Sequence, residues 1–125
     1  GYVEYAFAKQ NNLAATRLIN HDGKIVEPSM KSFSSAAAMA DWHSVPGFGV
    51  VLTDQPGADS WPITAATFIL MYSEPQNLAD SREAIKFFDW TFANGAKTAA
   101  ELDYIPIPDN VVKEIKNTVW TMIKQ

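Results

Sequence analysis

Cysteine is absent from this chain, so a disulfide framework and a thiolate metal site are both excluded. That absence fits a cytosolic protein and an exported bacterial one equally well. Runs of basic residues are missing too. Lys9, Arg17, Lys24 and Lys31 are scattered, and the formal charge is −4. This weighs against nucleic acid or an acidic membrane as partner, since each calls for a basic patch. No apolar run approaches the roughly 18–20 residues of a membrane-spanning helix. The opening residues, Gly1-Tyr2-Val3-Glu4-Tyr5, carry neither an initiator Met nor the basic stretch of a signal peptide. They read as the middle of a longer chain, opening inside a strand.

Histidine is scarce, with only His21 and His43, far apart in sequence. A pairing of His43 with Asp41 or Asp54 lacks any nucleophile context such as Gly-x-Ser-x-Gly. Asp41-x-His43 alone does not make a metal site, which needs several ligands at set spacing. A surface-loop role is the better reading of both histidines. Gly47-x-Gly49 lacks the third glycine and the following helix of a phosphate-cradling loop, so it reads as a turn. Glu83, Asp89, Glu101 and Asp103 are explained by capping and solubility. Trp42, Trp61, Trp90 and Trp120 are expected in core packing rather than on a ligand-stacking surface. No catalytic residue, metal ligand or cofactor is assigned.

What is present is globular. The 125 residues, 47% hydrophobic and 19% charged, suit one ordinary domain. Alternation over Tyr2–Phe7 predicts a strand. Arg17-Leu18-Ile19-Asn20 and Lys24-Ile25-Val26-Glu27 flank His21-Asp22-Gly23, a hairpin signal because Gly accepts positive φ cheaply. Met30 to Trp42 has helical spacing, with Ser29 as its N-cap. Val45-Pro46-Gly47-Phe48-Gly49 breaks that helix.

Ser60-Trp61-Pro62-Ile63-Thr64-Ala65-Ala66-Thr67-Phe68-Ile69-Leu70-Met71-Tyr72 is a long β-favouring run with too little alternation for a half-exposed strand. It predicts a strand buried on both faces, or one passing between two environments. A helix from Asp80 to about Asn94 follows, with an acidic N-cap, Glu83 three residues later and Gly95 as its stop. A short helix over Lys97–Leu102, an extended Ile105-Pro106-Ile107-Pro108 and a last amphipathic helix from Pro108 or Asp109 complete the reading. The fold class expected from these elements is α/β.

Beyond periodicity, Gly1-Tyr2-Val3-Glu4-Tyr5-Ala6-Phe7-Ala8-Lys9-Gln10-Asn11-Asn12-Leu13 resembles a segment of the periplasmic phosphate-binding proteins of bacterial ABC importers. So do Ser60-Trp61-Pro62-Ile63-Thr64 with Thr67-Phe68-Ile69-Leu70, and Lys86-Phe87-Phe88-Asp89-Trp90 with Gly95-Ala96-Lys97. Leu102-Asp103-Tyr104 and Pro108-Asp109-x-Val111-Val112 continue the likeness in order.

The resemblance implies the C-terminal part of a two-lobe periplasmic-binding-protein fold of type II. Residues 1–60 would end the second lobe, 61–72 would be the strand crossing between lobes, and 73–125 the closing helices of the first. It implies capture of inorganic phosphate in the periplasm for delivery to the ABC permease, without chemistry. Ile63, Thr64 and Ala65 are the hinge candidates. The family's phosphate ligands include an Arg near a Ser-Gly-Thr motif, and no Ser-Gly-Thr occurs here. Arg17 and Arg82 stand in a hairpin and at a helix start, so no ligand residue is assigned and the ligands are expected upstream.

The chain would then expose apolar surface that an N-terminal fragment covers or through which copies associate. Two other readings stand beside this one. One is an enzyme acting on phosphate esters on a related fold. The other is a module that binds a partner chain through the exposed lobe surface.

Overall fold

A computed structural model describes residues 1–124. The first element is a helix, α1 (Tyr5–Gln10), where alternation predicted a strand. Its Tyr5 ring stands edge-on to Phe33 at 5.1 Å, and Phe33 stands edge-on to Trp61 at 6.1 Å. A helical turn lets Tyr5 dock while Ala6 is buried, and Ala8, Lys9 and Gln10 are good helix formers. Tertiary contact thus overrides a six-residue alternation that local pattern alone reads as strand.

The hairpin forms as expected. Strands β1 (Leu18–Ile19) and β2 (Ile25–Val26) pair antiparallel, Leu18 opposite Val26 and Ile19 opposite Ile25. Gly23 takes a φ of 71° in the turn, a conformation that costs Gly least. Helix α2 spans Met30–Met39 and carries a reciprocal capping box. The Ser32 amide donates to the Ser29 hydroxyl at 3.2 Å, and the Ser29 amide donates to the Ser32 hydroxyl at 3.0 Å. Two otherwise unpaired N–H groups are satisfied in this way. A short 3-10 turn, Pro46–Phe48, follows the helix.

The long run after Ser60 departs most from expectation. Thr53 and Ile63 make one antiparallel bridge, and among the described residues no strand follows. Between Ala65 and Tyr72 no backbone N–H or carbonyl takes part in a hydrogen bond among the described residues. Nor is the run buried: Leu70 is 92% and Tyr72 83% exposed. β-propensity prepares a chain to pair but does not supply the neighbour, and a ladder needs one.

Helix α3 (Leu78–Asn94) begins earlier than predicted. Asn77 is its cap rather than Asp80: the Asn77 Oδ1 accepts from the amides of Ala79 at 3.0 Å and Asp80 at 3.4 Å. Gly95 ends α3 with a φ of −84°, not the left-handed value expected of a stop. A Cβ there would lie 2.6 Å from the Thr91 carbonyl oxygen. Glycine therefore serves close approach, and the chain runs straight on into α4 (Ala96–Glu101). Helix α5 spans Asp109–Asn117, and a 3-10 turn, Trp120–Met122, follows.

The core gathers Ala37, Ala40, Trp42, Phe48, Leu52 and Val111, with Ala66, Ile107, Ile115 and Val119 packed on its rim. It is therefore built between α2, the loop after it, and one face of α5. Of the four tryptophans expected inside, Trp42 and Trp61 are buried and Trp120 is half-buried, while Trp90 is 61% exposed on α3. The architecture is mixed helix and strand, with a two-stranded sheet among the described residues.

Candidate functional site

The best-organised polar region lies where the hairpin meets the loop before Trp61. Asn20, buried between them, uses its whole side chain. Its amide nitrogen donates to the carbonyls of Gly57, Ala58 and Ser60 at 3.0, 3.1 and 3.2 Å. Its oxygen accepts from the amides of Asp22 and Lys24 at 3.1 and 2.9 Å. The buried Ser60 hydroxyl donates to the Pro56 carbonyl at 2.7 Å and lies 3.2 Å from the Ser35 hydroxyl. The Trp61 amide donates to the Ser32 carbonyl at 3.0 Å. Hairpin, loop and α2 are thereby fixed to one another through buried, satisfied polar groups, which is what a low-dielectric interior demands. Sequence reasoning placed Asn20 in a hairpin flank. The signal that could have found it is a buried-capable amide beside an Asp-Gly turn.

Against this junction opens a cavity of about 380 Å³, lined by Arg17, Glu27, Ser29, Lys31, Ser32 and Asp59 among others. It sits at the N-terminus of α2. Its cations already face carboxylates, Arg17 with Glu27 at 3.8 Å and Lys31 with Asp59 at 2.8 Å. The hydroxyls of Ser29 and Ser32 are spent on the capping box. The cavity therefore offers balanced charge rather than a surplus of anion donors.

The histidines do not join a catalytic group. His21 Nδ1 lies 3.3 Å from Asp54 Oδ2, and His43 Nδ1 lies 3.6 Å from Glu114 Oε1, with all four side chains at least partly exposed. His43 does not use Asp41 through its ring; the Asp41 carboxylate instead accepts the His43 amide at 3.2 Å. Among the described residues no group of three or more His, Asp or Glu could hold a metal ion. Nor, among the described residues, is any helix long and apolar enough to cross a membrane.

The carboxylates read as capping and surface groups do pair at the surface. Glu83 takes Lys86 at 2.7 Å, Glu101 takes Lys97 at 3.7 Å, Asp89 takes Lys116, and Asp103 takes Lys9. The hydrogen bond to Asp103, reinforced by its charge, holds the Lys9 ammonium above its ordinary value of 10.5.

The hinge candidates lie at the edge of the anchored region. Ile63 makes the single bridge to Thr53, and Thr64 is buried with its hydroxyl donating to the Trp61 carbonyl at 3.1 Å. Ala65 is exposed, and the last backbone hydrogen bond before it is made by the Pro62 carbonyl, which accepts the Asp54 amide at 2.8 Å. The three thus stand at a boundary between held and unheld backbone.

No family model matches the chain. Curated relatives do. A phosphate-binding protein PstS of Haemophilus influenzae is 50% identical over 125 residues, the whole of this chain. Its counterpart in Pasteurella multocida is 47% identical over 124 residues. This chain is homologous to part of these phosphate-binding proteins. It spans about a third of their length, 37% of the first and 36% of the second. A further relative, a putative serine/threonine-protein kinase/receptor R831 of Acanthamoeba polyphaga mimivirus, is 31% identical over 122 residues, 91% of this chain and 8% of that protein. The likeness to the bacterial proteins, met first in separate motifs, therefore runs unbroken through the junction at Asn20, the open run after Ala65 and the closing helices.

Proposed function

We propose that this chain is one part of a protein that captures inorganic phosphate in the periplasm and delivers it to the permease of an ABC importer. The observation that carries this reading is the 50% identity, over the whole chain, to a protein named for phosphate binding. In this reading the chain performs no chemistry. What supports that is that the bacterial relatives are named for binding phosphate. The enzyme reading has no comparable support.

The chain is the C-terminal portion of a two-lobe fold, with 1–60 closing the second lobe, 61–72 crossing and 73–125 closing the first. The bare, apolar 65–72 segment supports this division: a crossing strand taken without its neighbours has the side chains of a buried strand and no ladder. Motion between lobes turns at Ile63, Thr64 and Ala65, where the backbone passes from held to unheld. The phosphate ligands come from the part of the protein outside this chain. That assignment is supported by the cavity at α2, whose cations are already matched by Glu27 and Asp59.

Titration calorimetry with inorganic phosphate tests the reading. The chain alone is expected to show no heat of binding, and the chain joined to the remaining two-thirds of such a protein to bind. Binding by the chain alone would move the ligands here, with Arg17 and Lys31 the first to substitute. Failure of the joined protein to bind would sink the functional reading itself.

A further inference from the structure

Asn94 is the one asparagine of this chain that a glycine follows. Asparagine is among the thermolabile residues. A following glycine has no Cβ to crowd its amide nitrogen, so the asparagine side chain can close on it. The pair stands at the joint between two helices: Asn94 is the last residue of α3, and Gly95 runs straight on into α4. Asn94 is exposed, yet both groups that would react are tied down. The Gly95 N–H, the attacking group, donates to the Thr91 carbonyl at 2.7 Å. The Asn94 side-chain nitrogen, the leaving group, donates to the Trp90 carbonyl at 2.9 Å. Both bonds belong to the last turn of α3, and both must open before the Gly95 nitrogen can reach the Asn94 Cγ.

We propose that Asn94 is a deamidation site gated by the last turn of α3. When that turn opens, the Gly95 nitrogen attacks the Asn94 Cγ. A new C–N bond forms, the bond from Cγ to the side-chain nitrogen breaks, and ammonia leaves with the proton given up by Gly95. The cyclic imide that remains is opened by water at either carbonyl. One product is aspartate on the original backbone. The other is isoaspartate, whose backbone runs through Cγ and is one carbon longer.

Neither product restores the joint. Both lose the donor to the Trp90 carbonyl, and both place a negative charge at the C-terminal end of α3, where the helix dipole disfavours it. The longer isoaspartate backbone also shifts α4 out of step with α3. The same end of α3 carries Phe92, whose ring lies 6.0 Å from Trp120. The joint therefore closes less well after each reaction, and the reaction does not run backwards. The inference involves no anion and no partner chain, so it stands apart from the phosphate reading.

Trypsin releases Phe87–Lys97 with the pair intact, and mass spectrometry of that peptide measures the amide lost. The chain is held at body temperature in mildly alkaline buffer, with and without concentrated urea. Deamidation is expected in urea, and at a rate lower by about tenfold or more in the folded chain. Ala93→Gly, at an exposed position of the same turn, should raise the folded rate about fivefold and leave the urea rate unchanged. Circular dichroism checks that this variant keeps its helices. Asn94→Gln, whose longer side chain closes the ring far less readily, should suppress the loss in both conditions. A peptide that stays unmodified in urea, or a folded rate equal to the urea rate, would overturn the proposal. So would a folded rate that Ala93→Gly does not move, or a loss that survives Asn94→Gln.

Discussion

The junction around Asn20 closes on the loop just before Trp61, a few residues ahead of the run from Ala65 to Tyr72, and the two are opposites in construction. At the junction, short polar side chains meet backbone groups from three segments, and nearly every buried polar atom has its partner. The run has larger and more apolar side chains, yet it forms no element. What separates them is where the partner lies. An amide or hydroxyl can satisfy a backbone within a few residues or across one loop, so the junction closes with the material at hand. A strand must find another strand, and none is offered among the described residues.

This contrast can be broken from the junction side with the largest effect. Asn20→Ala removes an amide whose two hydrogens are shared among three carbonyls and whose oxygen accepts from two backbone amides, and it leaves buried carbonyls unmatched, so a loss of about 3 kcal/mol is expected, read from the urea midpoint. A loss under about 0.5 kcal/mol would mean that water replaces the amide and that the junction is not a buried latch.

A smaller effect of opposite sign is expected at the start of α3. Ser81 is buried, and its hydroxyl is the one buried side-chain polar atom without a partner among the described residues. Ser81→Ala should therefore stabilise the chain by about 1 kcal/mol in the same assay. Destabilisation there would reveal a bonded hydroxyl and show α3 to be as fully satisfied as the junction.

The smallest effect belongs to the open run. Leu70→Ser should change stability by less than about 0.5 kcal/mol, because the side chain buries almost nothing. A loss of 2 kcal/mol or more, the scale of a core truncation, would show that the segment is packed within the monomer after all.

Much of the local structure was legible in the sequence. Asp22-Gly23 marked the hairpin, Ser29 the start of α2, and the paired prolines at 106 and 108 the extended approach to α5. The misreadings share a cause. Tyr2 to Phe7 alternates like a strand, but Tyr5 is held by Phe33 on a helix distant in sequence. Asp80 with Glu83 resembles a capping pair, but Asn77, three residues earlier, takes the amides first, and its own amide nitrogen then donates to Asp80 at 2.8 Å. Gly95 has the residue type of a helix stop, yet its task is to let the Thr91 carbonyl come close. In the candidate site, the hinge residues were read from a resemblance and not from any pattern in the residues. Asn20 was passed over because nothing local says which carbonyls will surround an amide.

The sequence by itself determined the absence of thiol chemistry, the places where the chain turns, most helix locations and the kinship with phosphate-binding proteins. These rest on residue identity and on interactions within a few residues, so they need no knowledge of distant neighbours. The tertiary structure alone decided that α1 is a helix, that Asn20 joins three segments, that each histidine faces a single carboxylate, and that the most β-favouring run in the chain is, among the described residues, unpaired from Ala65 onward. Those outcomes depend on which surfaces meet, and a strand, unlike a helix, cannot satisfy its own backbone.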